Sequence, residues 1–206
     1  MPIRVKICGM TNEPDVTAAR AAGANLVGFI FAESPRKVDV ATVRKITEHL
    51  DGVEGVAVVR GMTSAADVER LRESALLRWV QFHGDEPPEV VNPFAPWALR
   101  VFDRFGPEER ALLPKFPGVA FLLDRPKDGS GSAPDPSFAE EARKHGPVLI
   151  AGKLDPDNVA DAIRRHRPHG VDVCGGVESA PGKKDHGKIR AFLQAVRAVE
   201  RELGLA

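Results

Sequence analysis

Three features of the sequence predict its fold class. Short apolar segments rich in β-branched residues recur eight times along the 206 residues, and each is followed by a helical segment or its remnant. Some of them, such as residues 26–31, carry no polar position, as is typical of parallel strands buried on both faces. No reversal signal interrupts the alternation. We therefore predict an α/β protein, a single (β/α)8 TIM barrel of minimal length over residues 1–206, with an open flavodoxin-like sheet as the alternative.

The first strand ends on a thiol. Val5 and Ile7 alternate with charged or small residues, which is the period of a strand, and Gly9 breaks the run directly after Cys8. In a parallel α/β protein, chemistry collects at the edge where strands hand over to loops. Cys8 is therefore a candidate catalytic residue, although a lone cysteine is more often a small buried apolar residue.

The remaining elements continue the alternation. Thr11 or Asn12 can cap the first helix, Gly23 ends it, and Ser64 is a suitable N-cap for the third. The strands are predicted over residues 4–8, 26–31, 55–59, 79–84 with the strand exit, 98–102, 119–123, 148–152 and 170–174. The helices are predicted over 14–22, 40–50, 64–75, weakly from 87, and over 107–113, 138–145, 157–165 and from 187 or 188 to 203. A Gly/Ser/Pro-rich loop is predicted over 127–136.

Side chains that suit acid–base chemistry or anion binding lie at the predicted strand exits. On a barrel these exits converge on one face, however far apart they are in sequence. The candidates are Cys8, Arg36, Gln81, His83, Asp124, Gly152, Lys153, Cys174, Gly175 and Gly176. Each has a structural explanation when taken alone, such as a turn-forming Asp124 or a surface Arg36. Their shared position favours a common site.

Glycines at the last two exits indicate an anion site within this set. Loops after strands seven and eight of barrels often hold a phosphate, because glycine lets backbone N–H groups approach an anion closely. Gly152 before Lys153, and Gly175 with Gly176, fit that use. The alternative is that these glycines only form tight turns.

A buried ion pair is predicted inside the barrel. Lys6 lies two residues before Cys8 and shares its inward face, and Asp172 stands in the same relation to Cys174 on strand eight. Strand eight closes against strand one. Because a buried charge without a partner is expensive, each of these two residues suggests the other.

Composition narrows the classes of partner. The formal net charge is zero, so no electrostatic case exists for nucleic acid or a membrane surface, and no apolar run is long enough to span a bilayer. Cys8 and Cys174 are the only cysteines, too few for a disulfide framework, and the first residues lack the pattern of a signal peptide. A reducing cytoplasm is therefore expected.

Six segments form a specific combination along the chain. They are VKICGMTNEPD, VGFIF followed by SPR, QFHGDE, LLD before a GSG loop, IAGKLDPDNV and VDVCGGVESAPGKKD. Together they resemble phosphoribosylanthranilate isomerase of tryptophan biosynthesis, from residue 4 to the last helix. The resemblance implies a (β/α)8 barrel that performs, without a cofactor or metal, the Amadori rearrangement of N-(5-phosphoribosyl)anthranilate to 1-(2-carboxyphenylamino)-1-deoxyribulose 5-phosphate. It implies a small phosphorylated substrate as partner, with the chain as a monomer or homodimer.

The resemblance also assigns roles to individual positions. Cys8 matches the family's general base and Asp124 its general acid, whose pKa has to be raised by an apolar pocket if it is to deliver a proton. Arg36 matches the arginine that pairs with the anthranilate carboxylate. The other substrate-binding positions are Gln81 and His83 in the pocket wall and Gly152, Lys153, Gly175 and Gly176 at the phosphate loops.

The chain departs from the family pattern at three places. The family more often has Gly-Gly-Leu at residues 152–154, Ser-Ser-Gly at residues 174–176, and Gly-Val-Phe at residues 58–60, where this chain has GKL, CGG and VVR. These changes keep the backbone N–H groups, but they remove a serine hydroxyl that could contact phosphate. Cys174 either fills the space of that serine or approaches Cys8 closely enough for a disulfide, and the sequence leaves both open.

Two other functions remain as alternatives on sequence alone. Another phosphate-binding barrel, such as an epimerase or indole-glycerol-phosphate synthase, would need a metal set or a lysine acid, and neither is convincing here. A catalytically silent barrel that only binds an anionic ligand is the second alternative.

Overall fold

Eight parallel strands close into a barrel in the computed structural model, which describes residues 1–48, 50–125 and 134–205. The strands are β1 Arg4–Cys8, β2 Leu26–Ile30, β3 Glu54–Val59, β4 Trp79–Phe82, β5 Ala98–Phe102, β6 Ala120–Leu123, β7 Val148–Ile150 and β8 Gly170–Val173. Each strand pairs with the next, and β1 closes the barrel against β8 with Lys6 opposite Asp172. The predicted (β/α)8 barrel is confirmed, and the open sheet is excluded.

A helix follows every strand. The helices are α1 Glu13–Ala22, α2 Val40–Thr47, α3 Ala65–Ser74, α4 Pro88–Val91, α5 Pro107–Leu112, α6 Pro136–Ala142, α7 Val159–His166 and α8 His186–Glu202. Two of the predicted caps are confirmed, since Asn12 accepts the N–H of Asp15 and Ser64 accepts that of Asp67. Within the described residues, none of these helices combines the length and the apolar character that crossing a bilayer requires.

Several predicted helix ends were wrong by one to three residues, and side-chain caps explain two of them. Asp135 accepts the N–H of Ser137, so α6 begins at Pro136 rather than at 138. Asp185 accepts two N–H groups of the first turn, so α8 begins at His186. The loop predicted over 127–136 falls mostly on residues 126–133, outside the described part of the chain.

The strands alternate between two environments. On β1, Val5 and Ile7 pack against the helices, whereas Lys6 and Cys8 point into the barrel. The interior is filled by one apolar cluster, made of Leu26, Val56, Trp79, Leu99, Val101, Ala120, Leu122, Leu149 and Ala151. Polar side chains replace apolar ones towards the C-terminal strand ends, and there the barrel opens into a cavity.

A small hairpin that the sequence analysis missed lies beside that opening. A short 3₁₀ turn, Gly175–Val177, leads from β8 into the antiparallel strands β9 Glu178–Ala180 and β10 Lys183–Lys184. Gly182 takes a φ of 79°, the value found at the third position of a type II turn, where proline is common at the second. The adjacent Pro-Gly pair at residues 181–182 was the available signal.

The start of α1 anchors this hairpin. The Asp15 carboxylate accepts the backbone N–H of Lys184 at 2.9 Å, and the Thr11 hydroxyl donates to the carbonyl of Gly182 at 2.6 Å. The hairpin is therefore tied to the barrel mouth through its turn and its second strand.

Candidate active site

One cavity at the C-terminal mouth of the barrel gathers every predicted site residue. The mouth cavity has a volume of about 670 Å³, within the range of small-molecule sites. The predicted residues that line it are Cys8, Arg36, Gln81, His83, Asp124, Gly152, Lys153, Gly175 and Gly176. Asp172 and Cys174 line it as well. The convergence of the strand exits is thus confirmed, whereas the chemical role of each residue remains a prediction.

The thiol of Cys8 sits in an electropositive corner of the mouth cavity. A Cβ placed on Gly28 would lie 2.9 Å from Cys8 Sγ and 3.2 Å from Lys6 Nζ, so both groups crowd the same point and glycine leaves room for them. A hydrogen bond from the Cys174 thiol, together with the Lys6 ammonium, outweighs burial and holds the pKa of Cys8 well below its usual value. The surroundings of Cys8 therefore favour its thiolate form.

The predicted buried ion pair is confirmed. Lys6 Nζ lies 2.9 Å from Asp172 Oδ1, and the Lys6 side chain is fully buried. Burial raises the pKa of Asp172 to about 7 despite the attraction of Lys6. Burial pushes the pKa of Lys6 down, but Asp172 and Cys8 overcome this and raise it above its ordinary value. Lys6 therefore keeps its charge between a carboxylate and a thiolate.

Replacing Lys6 by methionine is expected to lower the free energy of unfolding by about 3–5 kcal/mol, because Asp172 then stays buried without its partner. Without Lys6, the folded-state pKa of Asp172 lies even further above the unfolded value of about 3.9. A raised folded-state pKa stabilises at low pH and loses that stabilisation as the pH rises, so the variant should be weakest above about pH 7. Denaturant unfolding near pH 5 and pH 8 measures both effects.

The control is the double variant Lys6→Met with Asp172→Leu, which removes both charges and should recover most of the loss. Equal stability of wild type and Lys6→Met at both pH values would contradict the pairing.

Glu178 occupies one edge of the Arg36 guanidinium. Its Nε and Nη2 donate to Oε1 and Oε2 of Glu178 at 2.8 and 2.6 Å. Lys184, whose side chain is fully buried, binds Glu178 Oε1 at 2.9 Å. Burial opposes the ionisation of Glu178, but hydrogen bonds from Arg36 and Lys184 prevail and lower its pKa. Glu178 therefore clamps one edge of Arg36 and leaves the Nη1 edge for a ligand.

The strand-four pair connects to Asp124. Gln81 Nε2 lies 3.1 Å from His83 Nδ1, and His83 Nε2 lies 3.9 Å from Asp124 Oδ2. Because an amide nitrogen only donates, Nδ1 accepts and the neutral ring carries its proton on Nε2, facing Asp124. The other oxygen of Asp124 accepts the N–H of Arg125 at 2.7 Å. The hydrogen bond from Arg125 therefore holds one oxygen of Asp124, and the other oxygen lies beside His83 in the cavity wall.

The two glycine-rich exits pack against each other. A Cβ on Gly176 would lie 1.9 Å from the carbonyl oxygen of Leu154, so only glycine lets these loops touch. Gly152 has a φ of 95° and Lys153 a φ of 57°, both in the left-handed region. Lys153 thus occupies a conformation that favours glycine, which accounts for the family's usual Gly-Gly-Leu at this place. A Cβ on Gly175 would meet no atom closer than 3.8 Å, so packing does not explain that glycine.

The fold and the site define a class of protein: a (β/α)8-barrel enzyme whose cavity combines a thiol, a carboxyl group and basic side chains at the strand exits.

Comparison with known proteins shows the family. The family model of N-(5'-phosphoribosyl)anthranilate (PRA) isomerase matches residues 5–195. An N-(5'-phosphoribosyl)anthranilate isomerase of Pseudomonas putida is 41% identical over 204 residues, covering 95% of this chain and 98% of the relative. The chain belongs to the PRA isomerase family, and it is an isomerase of tryptophan biosynthesis.

Solved structures agree with this assignment. A monomeric form of the dimeric phosphoribosylanthranilate isomerase of Thermotoga maritima superposes with a TM-score of 0.84 at 31% identity, covering 95% of this chain and 99% of that one. A phosphoribosylanthranilate isomerase in complex with reduced 1-(o-carboxyphenylamino)-1-deoxyribulose 5-phosphate gives a TM-score of 0.83 at 30% identity, with the same coverage.

Proposed function

We propose that the mouth cavity carries out the Amadori rearrangement of N-(5-phosphoribosyl)anthranilate with Cys8 as general base and Asp124 as general acid. The observation that supports these roles best is the electropositive corner, which favours the Cys8 thiolate in the cavity that Asp124 also lines. The overall reaction is tested by adding the protein to freshly made phosphoribosylanthranilate and following the loss of substrate fluorescence. Unchanged fluorescence would exclude the proposed reaction.

The first step opens the furanose ring. The ring oxygen has to take up a proton as its bond to C1 breaks, and a protonated Asp124 supplies it. The N–H of Arg125 holds one oxygen of the Asp124 carboxyl group, and His83 lies beside the other.

The second step moves a proton from C2. Ring opening leaves an iminium at C1, which makes the C2 proton acidic, and the Cys8 thiolate removes it to give an enolamine. The enolamine then takes up a proton at C1 from the Cys8 thiol and loses the proton of its C2 hydroxyl, which leaves the ketone and restores the proton given up by Asp124. Lys6 contributes by stabilising the thiolate, while its pairing with Asp172 keeps it in place.

The two ends of the substrate are held by opposite parts of the cavity. Arg36 pairs with the anthranilate carboxylate through its Nη1 edge, and the Glu178 clamp fixes the plane of the guanidinium. The phosphate binds at the backbone N–H groups of Gly152, Gly175 and Gly176, with the Lys153 side chain nearby as an added positive charge. Holding both ends gives the orientation that proton transfer needs.

Replacing Arg36 by lysine is expected to raise the KM for phosphoribosylanthranilate about tenfold, because lysine cannot reproduce a planar, two-pronged contact with a carboxylate. Inhibitor binding provides the control: an analogue that lacks the carboxylate should bind wild type and Arg36→Lys equally well. If both ligands lose the same affinity, Arg36 does not recognise the carboxylate.

The proposed function also implies a domain organisation, a set of partners and a location in the cell. We propose one domain over residues 1–206 that binds a small phosphorylated substrate, acts as a monomer or homodimer, and uses no cofactor, metal, nucleic acid or membrane. A biosynthetic enzyme whose two cysteines are free thiols suits the cytoplasm.

A further inference from the structure

Cys174 lies directly after β8, where the structure brings its thiol towards Cys8, the proposed base. Strands β1 and β8 are in register up to Ile7 and Val173, so Cys8 and Cys174 are the next pair along the two strands. Both are free thiols, and both line the mouth cavity. A Cβ on Gly9 would lie 3.0 Å from Cys174 Sγ, so the sulfur is also enclosed from the loop that follows β1.

The position of the Cys174 thiol is set by a buried lysine. Lys184 Nζ donates to the carbonyl oxygen of Cys174 at 3.2 Å and lies 3.9 Å from its sulfur. The same ammonium is bound to Glu178, and the backbone of Lys184 is tied to Asp15. The hairpin β9–β10 therefore holds Cys174 against the end of β1.

The proposed role of Cys8 as base decides which sulfur donates. Cys8 and the fully buried Lys6 ammonium crowd the same point beside Gly28, so a thiolate on Cys8 lies against a positive charge. Arg36 and Lys184, on the side of Cys174, are both bound to Glu178. A hydrogen bond to an ionised Cys8, together with burial, raises the pKa of Cys174, so Cys174 keeps its proton and can donate it.

We propose that Cys174 is a positioning residue for the isomerase reaction, whose thiol, held by Lys184, donates a hydrogen bond to the Cys8 thiolate and keeps it ionised and aimed into the mouth cavity. The inference rests on the proposed role of Cys8 as base. A serine at this position would keep the property, since serine is also a small side chain that can donate a hydrogen bond.

The test compares Cys174→Ala with Cys174→Ser. Each variant leaves Cys8 as the sole cysteine, so thiolate absorbance, or the pH dependence of alkylation by iodoacetamide, reports Cys8 alone and needs no substrate. At a given pH below the pKa of Cys8, the alanine variant should contain about tenfold less thiolate than the serine variant. The acidic limb of kcat/KM against pH should move to higher pH by the same amount in the alanine variant.

Each outcome decides one claim. Identical Cys8 titrations in the two variants would overturn the hydrogen bond. Titrations that differ, with pH profiles of kcat/KM that coincide, would overturn the role of Cys8 as base while the hydrogen bond stands. If the alanine variant does not fold, Cys174→Val and Cys174→Thr form a second pair of equal size, without and with a donor, and the same comparison applies.

Discussion

Replacing Cys8 by serine is expected to lower kcat at least ~10²-fold, the lower range of what a positioned base contributes. Serine fills nearly the same space, but its hydroxyl does not ionise in the working pH range even beside Lys6. The fold should survive, because Cys8 lies at the end of β1 and its removal leaves the Lys6–Asp172 pair intact. Stopped-flow or steady-state loss of substrate fluorescence measures the change.

Cys174→Ser is the matched control for that experiment. It makes the same exchange at the end of the neighbouring strand, keeps a hydrogen-bond donor, and should lose far less activity than Cys8→Ser. Near wild-type turnover in Cys8→Ser, with its denaturation midpoint unchanged, would show that another group removes the C2 proton.

Replacing Asp124 by asparagine is expected to cost at least ~10²-fold in kcat as well, since an amide keeps the shape of a carboxylic acid but cannot deliver its proton. Asparagine can still accept the N–H of Arg125, so the local structure should hold. The measurement is kcat at saturating substrate, with circular dichroism as a check on folding.

Asp103→Asn supplies the control for Asp124→Asn. Asp103 follows β5 as Asp124 follows β6, but its side chain is about half exposed and it does not line the mouth cavity. Its change to asparagine should leave kcat near wild type. A loss of similar size in both variants would mean that the effect of Asp124 comes from surface charge rather than from proton transfer.

The barrel itself could be predicted because its strands obey simple local rules. The run at residues 26–31 is apolar throughout, as is typical of a parallel strand with two buried faces. The first strand alternates with a period of two up to Cys8, which ends it. Convergence of the strand exits then follows from the topology. Lys6 and Asp172 could be paired for the same reason, since both are charged residues on inward positions of strands that close the barrel.

The Glu178 clamp could not be predicted in this way. Arg36 and Glu178 are 142 residues apart in sequence, and no periodicity connects a loop after β2 with the start of a hairpin after β8. Lys184 lies in a polar segment of the sequence, yet the hairpin turns its side chain fully inward. Helix ends were missed where a side-chain cap competed with the apolar pattern, as Asp135 does for α6.

The division of labour between Cys8 and Asp124 is tested most directly by the deuterium isotope effect at C2 of the ribosyl group, measured in single turnovers of Cys8→Ser and Asp124→Asn. Removing the base should make C2 proton abstraction rate-limiting, so Cys8→Ser is expected to show a full primary isotope effect. Removing the acid should make ring opening rate-limiting, so the effect should be suppressed in Asp124→Asn. Equal isotope effects in the two variants would contradict the assignment of base and acid.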